Sequence, residues 1–474
     1  MDARDFICGA EIAGDIHFEN VQFENGLDLT NTVFAGKVTF KKCRFMRDVL
    51  FEATTFAKDI TLLETTTTHG GIFRPVLVGE SVTLQGQLHS KFSIDLRSRE
   101  IQGNLYLTGV DIDGDVLLDR AKVQGDLLIS GTCRGPVSLV RTCIRGRAQL
   151  VAHFVNEGPR PALNISHARF YGKLEFSGTW SGIVRGVRSI FEKDVNLERI
   201  EARKICSFYR AQFKGPVTVS GAFQDNVRLN RAHFARSVTF VRDTAFRGQV
   251  RFDRAVFDDR AIFQGVLLEG FSDFRDCKFA VAPEFHGARL HPGTSFSVGR
   301  HFWRQFQDIK SDGAEAAYQT LKKIRREHEA HRDEQLFFVM ELRCRSVKER
   351  GIVRIFAQTY GLFSLYGQSI ARPIAWLAGV GALLGATVYR IGFDSVASAT
   401  AETRMLAHIH YTLRQTLPVL YPFTGSWEAL WKTTIDEAVK VVPIMPTVAA
   451  LHALFSSVLL FLLLLALKNR FKMQ

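Results

Sequence analysis

The sequence has no Cys-x-x-Cys pair, and its seven cysteines are scattered from Cys8 to Cys344. An odd, dispersed set argues against a disulfide framework and against a zinc site, and fits a reducing compartment. Tyrosine and tryptophan are sparse, 9 and 5, beside 39 phenylalanines. Aromatic rings without a polar handle belong in an interior, so something buries Phe repetitively. Met1-Asp2-Ala3-Arg4-Asp5 is not a basic stretch leading into an apolar one, so no secretory signal is expected. Motifs of enzymes are missing too: there is no Gly-x-Ser-x-Gly, Gly-x-x-x-x-Gly-Lys or His-Glu-x-x-His. His328-Glu329-Ala330-His331 has the wrong spacing for a two-histidine zinc helix, and His408-Ile409-His410 would need distant partners. The expectation is a protein that is not an enzyme and carries no cofactor. At 46% hydrophobic residues the chain is neither disordered nor fibrous.

Charge is present in excess and unevenly placed. The 474 residues carry a net +13, which favours an anionic partner. Residues 1–140 hold 14 Lys+Arg against 19 Asp+Glu, a net of −5, whereas residues 141–250 hold 19 against 8, a net of +11.

An internal repeat decides the fold. Apolar anchors fall at Phe18, Phe23, Leu29, Phe34, Phe40, Phe45, Phe51, Phe56 and Leu62, in steps of five and six that sum to a period of eleven. The clearest run is Phe208, Val219, Leu229, Phe240, Phe252, Phe263, Phe274, Phe285 and Phe296. Two positions before each anchor stands a second apolar residue, as in Val238-x-Phe240, Ile94-x-Leu96, Ala211-x-Phe213, Ala232-x-Phe234 and Ala255-x-Phe257. Residues i and i−2 share a face only in an extended chain, and a helix would need a 3.6 period. Each piece is therefore a short strand ending at a turn, and the stack is a β-solenoid that buries Phe ladders between coils. Residues 64–75, 151–163 and 177–190 interrupt the period and read as projecting loops.

The pattern resembles the pentapeptide-repeat family, whose unit is Ala-(Asp/Asn)-Leu-x-x in a four-sided right-handed coil. Here every second unit has a sixth residue. The resemblance implies 22-residue coils over residues 12–296, about 13 of them in a rod of roughly 60 Å. A flatter coil with eleven residues per half-turn is the alternative.

The expected class is mainly β, in three parts: a cytosolic solenoid over 1–300, a juxtamembrane helical linker over 301–372, and a two-span transmembrane domain over 373–474. In the linker, Ala317, Leu321, Ile324 and His328 follow helical spacing. Pro373 to Tyr389 is 17 uncharged residues between Arg372 and Arg390, and Val441 to Leu467 is 27. These predict spans of about 373–390 and 441–467 with an extracytoplasmic loop at 391–440. Lys468, Arg470 and Lys472 follow the second span, so the positive-inside rule puts both termini in the cytoplasm. The order of solenoid, Ala-Glu-Ala-Ala-Tyr-x-x-Leu-Lys-Lys, Glu-Gln-Leu-Phe-Phe-Val-Met-Glu-Leu-Arg and two spans looks like a group of bacterial membrane proteins. In these, pentapeptide-type repeats precede a domain similar to potassium-channel pores. The resemblance implies an inner-membrane ion channel, a homotetramer, and by analogy an antiphage role. The loop has no Thr-Val-Gly-Tyr-Gly filter; its nearest counterpart is Thr416-Leu-Pro-Val-Leu-Tyr-Pro-Phe423.

Candidate site residues follow from register. Arg210, Arg231 and Arg254 each stand two residues after an anchor and two repeats apart, so they share one edge of consecutive coils. Arg120 and Arg141 repeat that place earlier, and Arg199 and Arg242 take a corresponding place on another edge. Guanidinium groups every ~5 Å repel one another unless water screens them or an anion bridges them. A nucleotide or a short nucleic acid would serve; exposed, soluble turns are the competing reading. In the first span Gly381-x-x-x-Gly385 gives a small-residue face for helix packing. In the second, His452 and Ser456 lie on one helical face with Ser457 beside them, lining a pore or bonding a neighbouring helix. Two function classes follow: a ligand-gated oligomeric channel, or a membrane-tethered binding scaffold without conduction.

Overall fold

The computed structural model describes residues 8–88, 91–296, 305–388, 390, 400, 402, 405, 409, 412–413, 415–417 and 445–471. The chain divides into two compact units, residues 1–337 and 338–474, and the division falls inside the stretch read as a linker.

The first unit is a parallel β-solenoid of about 13 turns. Three ladders run its length: a 13-stranded sheet, a 12-stranded sheet, and a larger one between them. Pairing is parallel with an offset near 22 residues, as in Glu11↔Val33 and Ile60↔Val82. Near both ends the larger ladder is split into two short strands per coil, such as Val38–Lys41 and Arg44–Phe45. In the middle coils these merge into strands of seven or eight residues, such as Leu105–Ile112. The merging is made by β-bulges, where one coil carries an extra residue, as between Leu62 and Thr65 opposite Gly86.

This overturns two of the three expected loops. Residues 64–75 continue the strand Ile60–Thr67 and form Gly71–Arg74, with Thr65 and Thr67 buried where the period led one to expect Phe. Residues 177–190 lie in the coil as well, within Leu174–Trp180, Val184–Arg185 and Ile190–Phe191. Only residues 155–162, with Pro159 and Pro161, leave the ladders; the register jumps there from Ala148 to Leu174.

The anchors point inward. Phe170, Phe191, Phe213, Phe234, Phe257, Phe279 and Phe306 form one column of parallel rings, with successive centroids 4.8–5.5 Å apart. Nearer the start, Val78, Ile101, Val123 and Ile144 continue that column in register. Two before most of these anchors, though not before Val78 or Ile101, stands a small residue that packs under a turn. Thr54, Thr142 and Ser189 there donate hydroxyl hydrogen bonds to carbonyls of the preceding coil, at 3.0, 2.7 and 2.7 Å. Ala211, Ala232 and Ala255 fill the same space without a donor.

Helices α1 (Ala314–Glu327) and α2 (His331–Lys348) follow. Tyr318 of α1 and Phe337 of α2 lie against Phe306, and Phe337 also meets Phe296, so the last coil is closed by aromatic contacts. Buried Arg325 and Asp333 pair at 3.4 Å, and Asp333 accepts a hydrogen bond from the Phe296 backbone N–H. A solenoid end otherwise exposes unpaired ladder groups.

The second unit contains α3 (Gly351–Ser364), α4 (Ala371–Val388) and α5 (Met445–Phe471). Among the described residues one segment, Thr447–Asn469, is long and apolar enough to cross a membrane. Helix α4 has 18 residues, a length of ~27 Å against a hydrocarbon core of ~30 Å. Most of 391–440, including His408, His410 and 418–423 of the filter counterpart, lies outside the described residues.

Candidate anion-binding edge

At the corner between the 12-stranded and 13-stranded sheets, most coils turn through one residue of positive φ. Over seven consecutive coils that residue is Arg120, Arg141, His167, Arg188, Arg210, Arg231 and Arg254, with φ between 56° and 60°. The left-handed region costs an L-residue roughly 1–2 kcal/mol and favours glycine or asparagine. Another corner of the solenoid is mixed: its positive-φ residues include Glu64, Gly109, Arg199, Asp243, Gly265 and Gly287. A run of six arginines and a histidine is therefore not dictated by backbone geometry. Arg210→Gly is expected to raise stability by about 1 kcal/mol, by relieving both the conformation and the like-charge repulsion. A denaturant midpoint shift at constant slope would measure it.

A second row of arginines lies in register beside the first. On the outer face of the 12-stranded sheet, Asn164, Arg185, Ser207, Arg228 and Arg251 follow one another in the ladder. Each stands three residues before its corner residue, so Arg185/Arg188, Arg228/Arg231 and Arg251/Arg254 are paired on one edge. This Arg-x-x-Arg spacing is present in the sequence at 185/188, 228/231 and 251/254. Tyr209 lies beside Arg210, whose guanidinium sits 5.2 Å from the ring centroid.

The edge is concave. A cleft of about 830 Å³ is lined by Arg74, Arg97, Arg99, Arg120, Arg141 and His167, among others. A second of about 650 Å³ includes His167, Arg185, Tyr209, Arg228 and Arg251. They share Asn164 and His167, so one groove follows the corner over most of the solenoid.

Charge pairing divides the groove. Toward the N-terminal coils, Arg74 bridges Glu52 and Asp95, both at 3.0 Å, and Arg97 grips Asp95 at 2.7 Å. The Arg97 hydrogen bonds hold the Asp95 carboxyl below its usual range. At the far end Arg254 lies 3.7 Å from Asp276, and Arg275 pairs with Asp273. Between these ends, among the described residues, Arg120, Arg141, Arg185, Arg188, Arg210, Arg228, Arg231 and Arg251 have no carboxylate within 4.0 Å.

Arg199 and Arg242 lie elsewhere. Arg199 occupies a bulge in Val195–Ala202, and its backbone N–H meets Ser220 Oγ at 3.0 Å. Arg242 precedes the turn residue Asp243. The structure thus groups Arg141, Arg210, Arg231 and Arg254 and leaves these two on a separate edge.

In the second unit His452 and Ser456 are buried and Ser457 is exposed. Thr416 Oγ1 and His452 Nε2 are 3.0 Å apart. Gly381 and Gly385 are buried, and a Cβ at Gly381 would stand 2.9 Å from Thr416 Oγ1. The small-residue face of α4 therefore admits the Thr416–His452 contact. Comparison with family models, with curated proteins and with solved structures gives no match.

Proposed function

We propose that this protein is a membrane-anchored receptor for an extended, phosphate-bearing anion, held along the arginine edge of its solenoid. The observation that carries the reading is the run of arginines at positive-φ corners, of which Arg120, Arg141, Arg188, Arg210 and Arg231 have no carboxylate within 4.0 Å among the described residues. Six steps of ~4.8 Å make a ladder of about 29 Å from Arg120 to Arg254, which favours a short nucleic-acid strand over a single nucleotide. Tyr209 offers a ring on which a base can stack. The apolar segment Thr447–Asn469 supplies the anchor. In this reading the solenoid is a right-handed, pentapeptide-type coil on the cytoplasmic side of a bacterial inner membrane. Full-length protein in detergent is to be titrated with labelled single strands and with nucleotides at several salt concentrations. Affinity should fall with salt, with a logarithmic slope of about −0.7 per phosphate contacted. Binding of neither class, or binding indifferent to salt, would sink the reading.

A second reading has its own support. Ser456 is buried in an apolar helix, and among the described residues its hydroxyl has no hydrogen-bond partner. Such a group is expensive in a membrane unless it meets protein or water in an assembly. In this reading α4 and α5 form a two-span hairpin, several copies, four by resemblance to two-span pores, enclose an ion path, and the bound anion shifts its gate, in an antiphage role. Protein in lipid vesicles should then conduct, and Ser456→Trp should suppress the flux while preserving the oligomer. Vesicles that stay tight with and without ligand leave the receptor reading alone.

A further inference from the structure

Helix α3 presents an apolar surface to solvent. Ile352, Ile355, Phe356 and Leu362 are 68%, 60%, 68% and 54% exposed. At 100° per residue these four, with Thr359 and Phe363, fall within one arc of about 120°. Gln358 lies beside that arc and Arg354 on the far side of the helix, while Ser364, in the helix's last turn, is buried.

The helix is fixed in place. It ends abruptly at Leu365 and Tyr366, both at positive φ. Gly361 admits the Tyr366 ring, which a Cβ there would meet at 2.8 Å. The Arg372 side chain donates to the Gly361 carbonyl at 3.1 Å, and Phe363 meets Trp376 of α4 edge-on at 5.1 Å. Asn469, at the far end of the apolar segment of α5, donates to the Gly367 carbonyl at 3.2 Å. The C-terminal end of α3 is therefore tied to the end of α5 that carries Lys468 and Arg470 in the sequence. Around it, Lys348, Arg350, Arg354 and Arg372 face a single acid, Glu349, between residues 348 and 372.

We propose that α3 is an interfacial helix. It lies in the headgroup plane of the membrane, with Ile352, Ile355, Phe356 and Leu362 against acyl chains and Arg350 and Arg354 among anionic headgroups. Two features on one element identify a lipid surface as the occupant: the exposed apolar stripe, and attachment at the boundary of Thr447–Asn469, a segment able to cross a bilayer. The proposal rests on Thr447–Asn469 spanning the membrane, and the test separates the two claims.

Full-length protein with Cys8→Ser is to be spin-labelled in turn at Phe356→Cys, Leu362→Cys, Gln358→Cys and Leu454→Cys. Each is reconstituted in mixed phosphatidylcholine–phosphatidylglycerol vesicles, and collision with oxygen and with a water-soluble nickel chelate is measured. Labels at 356 and 362 should meet oxygen several-fold more than the chelate, as should the control at 454 in the spanning segment. The label at 358 should show the reverse. Chelate-dominated collision at 356 and 362 with an oxygen-dominated control overturns the interfacial helix alone. Low collision with both reagents there means that protein covers the stripe, which also overturns it. A chelate-dominated control at 454 removes the spanning segment and the proposal together.

Discussion

Changing Arg210, Arg231 and Arg254 to glutamate is expected to abolish capture of short single-stranded nucleic acid while the solenoid stays folded. The sign comes from charge and the specificity from geometry. The three side chains stand on consecutive rungs of one corner, and Arg231 has no carboxylate near it among the described residues. Reversing three charges sets carboxylates against phosphates and also offers intramolecular partners to Arg228 and Arg251. Alanine at the same positions should weaken binding less and flatten the salt slope by about 2, at ~0.7 per lost phosphate contact. Exposed turn positions carry little core energy, so thermal unfolding should move by no more than a degree or two for the alanine set. Arg199→Glu with Arg242→Glu is the control: two charge reversals on another edge, to be compared per reversal with the three at the corner. If all three sets lose affinity equally, binding is a diffuse response to net charge and the corner is not a site. If the glutamate triple mutant binds as wild type, the corner is only a solvated edge.

The parts of the molecule that were legible in sequence are those where one residue's size sets a distance. Phe213, Phe234 and Phe257 recur because a 22-residue coil returns each to the same column, and their period alone specified strands, turns and stacking. The merged strands were not legible, because the bulge opposite Gly86 adds one residue to the strand between Leu62 and Thr65, which the spacing of the apolar anchors does not signal. The groove was half legible. Spacing grouped Arg210, Arg231 and Arg254, but whether a turn residue sits at positive φ, and whether a neighbour neutralises it, depend on three-dimensional register. Arg74 and Arg231 look alike in sequence; one is held between Glu52 and Asp95 and the other is unpaired. The buried Arg325 was hidden for the same reason: it occupies a helical face otherwise read from Ala317, Leu321 and Ile324, and its burial is made tolerable by Asp333 of the next helix and by the Pro292 carbonyl of the solenoid. The contact that ties the chain just after α3 to the end of α5 joins Gly367 and Asn469, 102 positions apart.

Phe240→Ala is expected to remove ~3–5 kcal/mol, the usual loss for deleting a buried aromatic ring. Phe240 is 1% exposed and sits where four rings converge. It stacks on Phe263 at 4.7 Å and meets Phe246 and Phe252 edge-on at 5.9 Å each. Its neighbours belong to fixed strands of a closed coil, so the void cannot collapse without breaking parallel pairing on both sides. In a stack of coils each touches only the next, so the damage should be local. Amide exchange should accelerate in the coils holding Val219, Phe240 and Phe263, and far less around Leu107 and Ile129, several coils away. Arg242→Ala, two residues along and at a turn, is the control and should leave exchange nearly unchanged. Equal unfolding of the two variants would mean that Phe240 does not point inward. Uniform acceleration along the whole solenoid would mean that the rod melts as one cooperative block. In that case a ligand along the arginine edge would stabilise every coil together, so anion binding and thermal stability should rise in step.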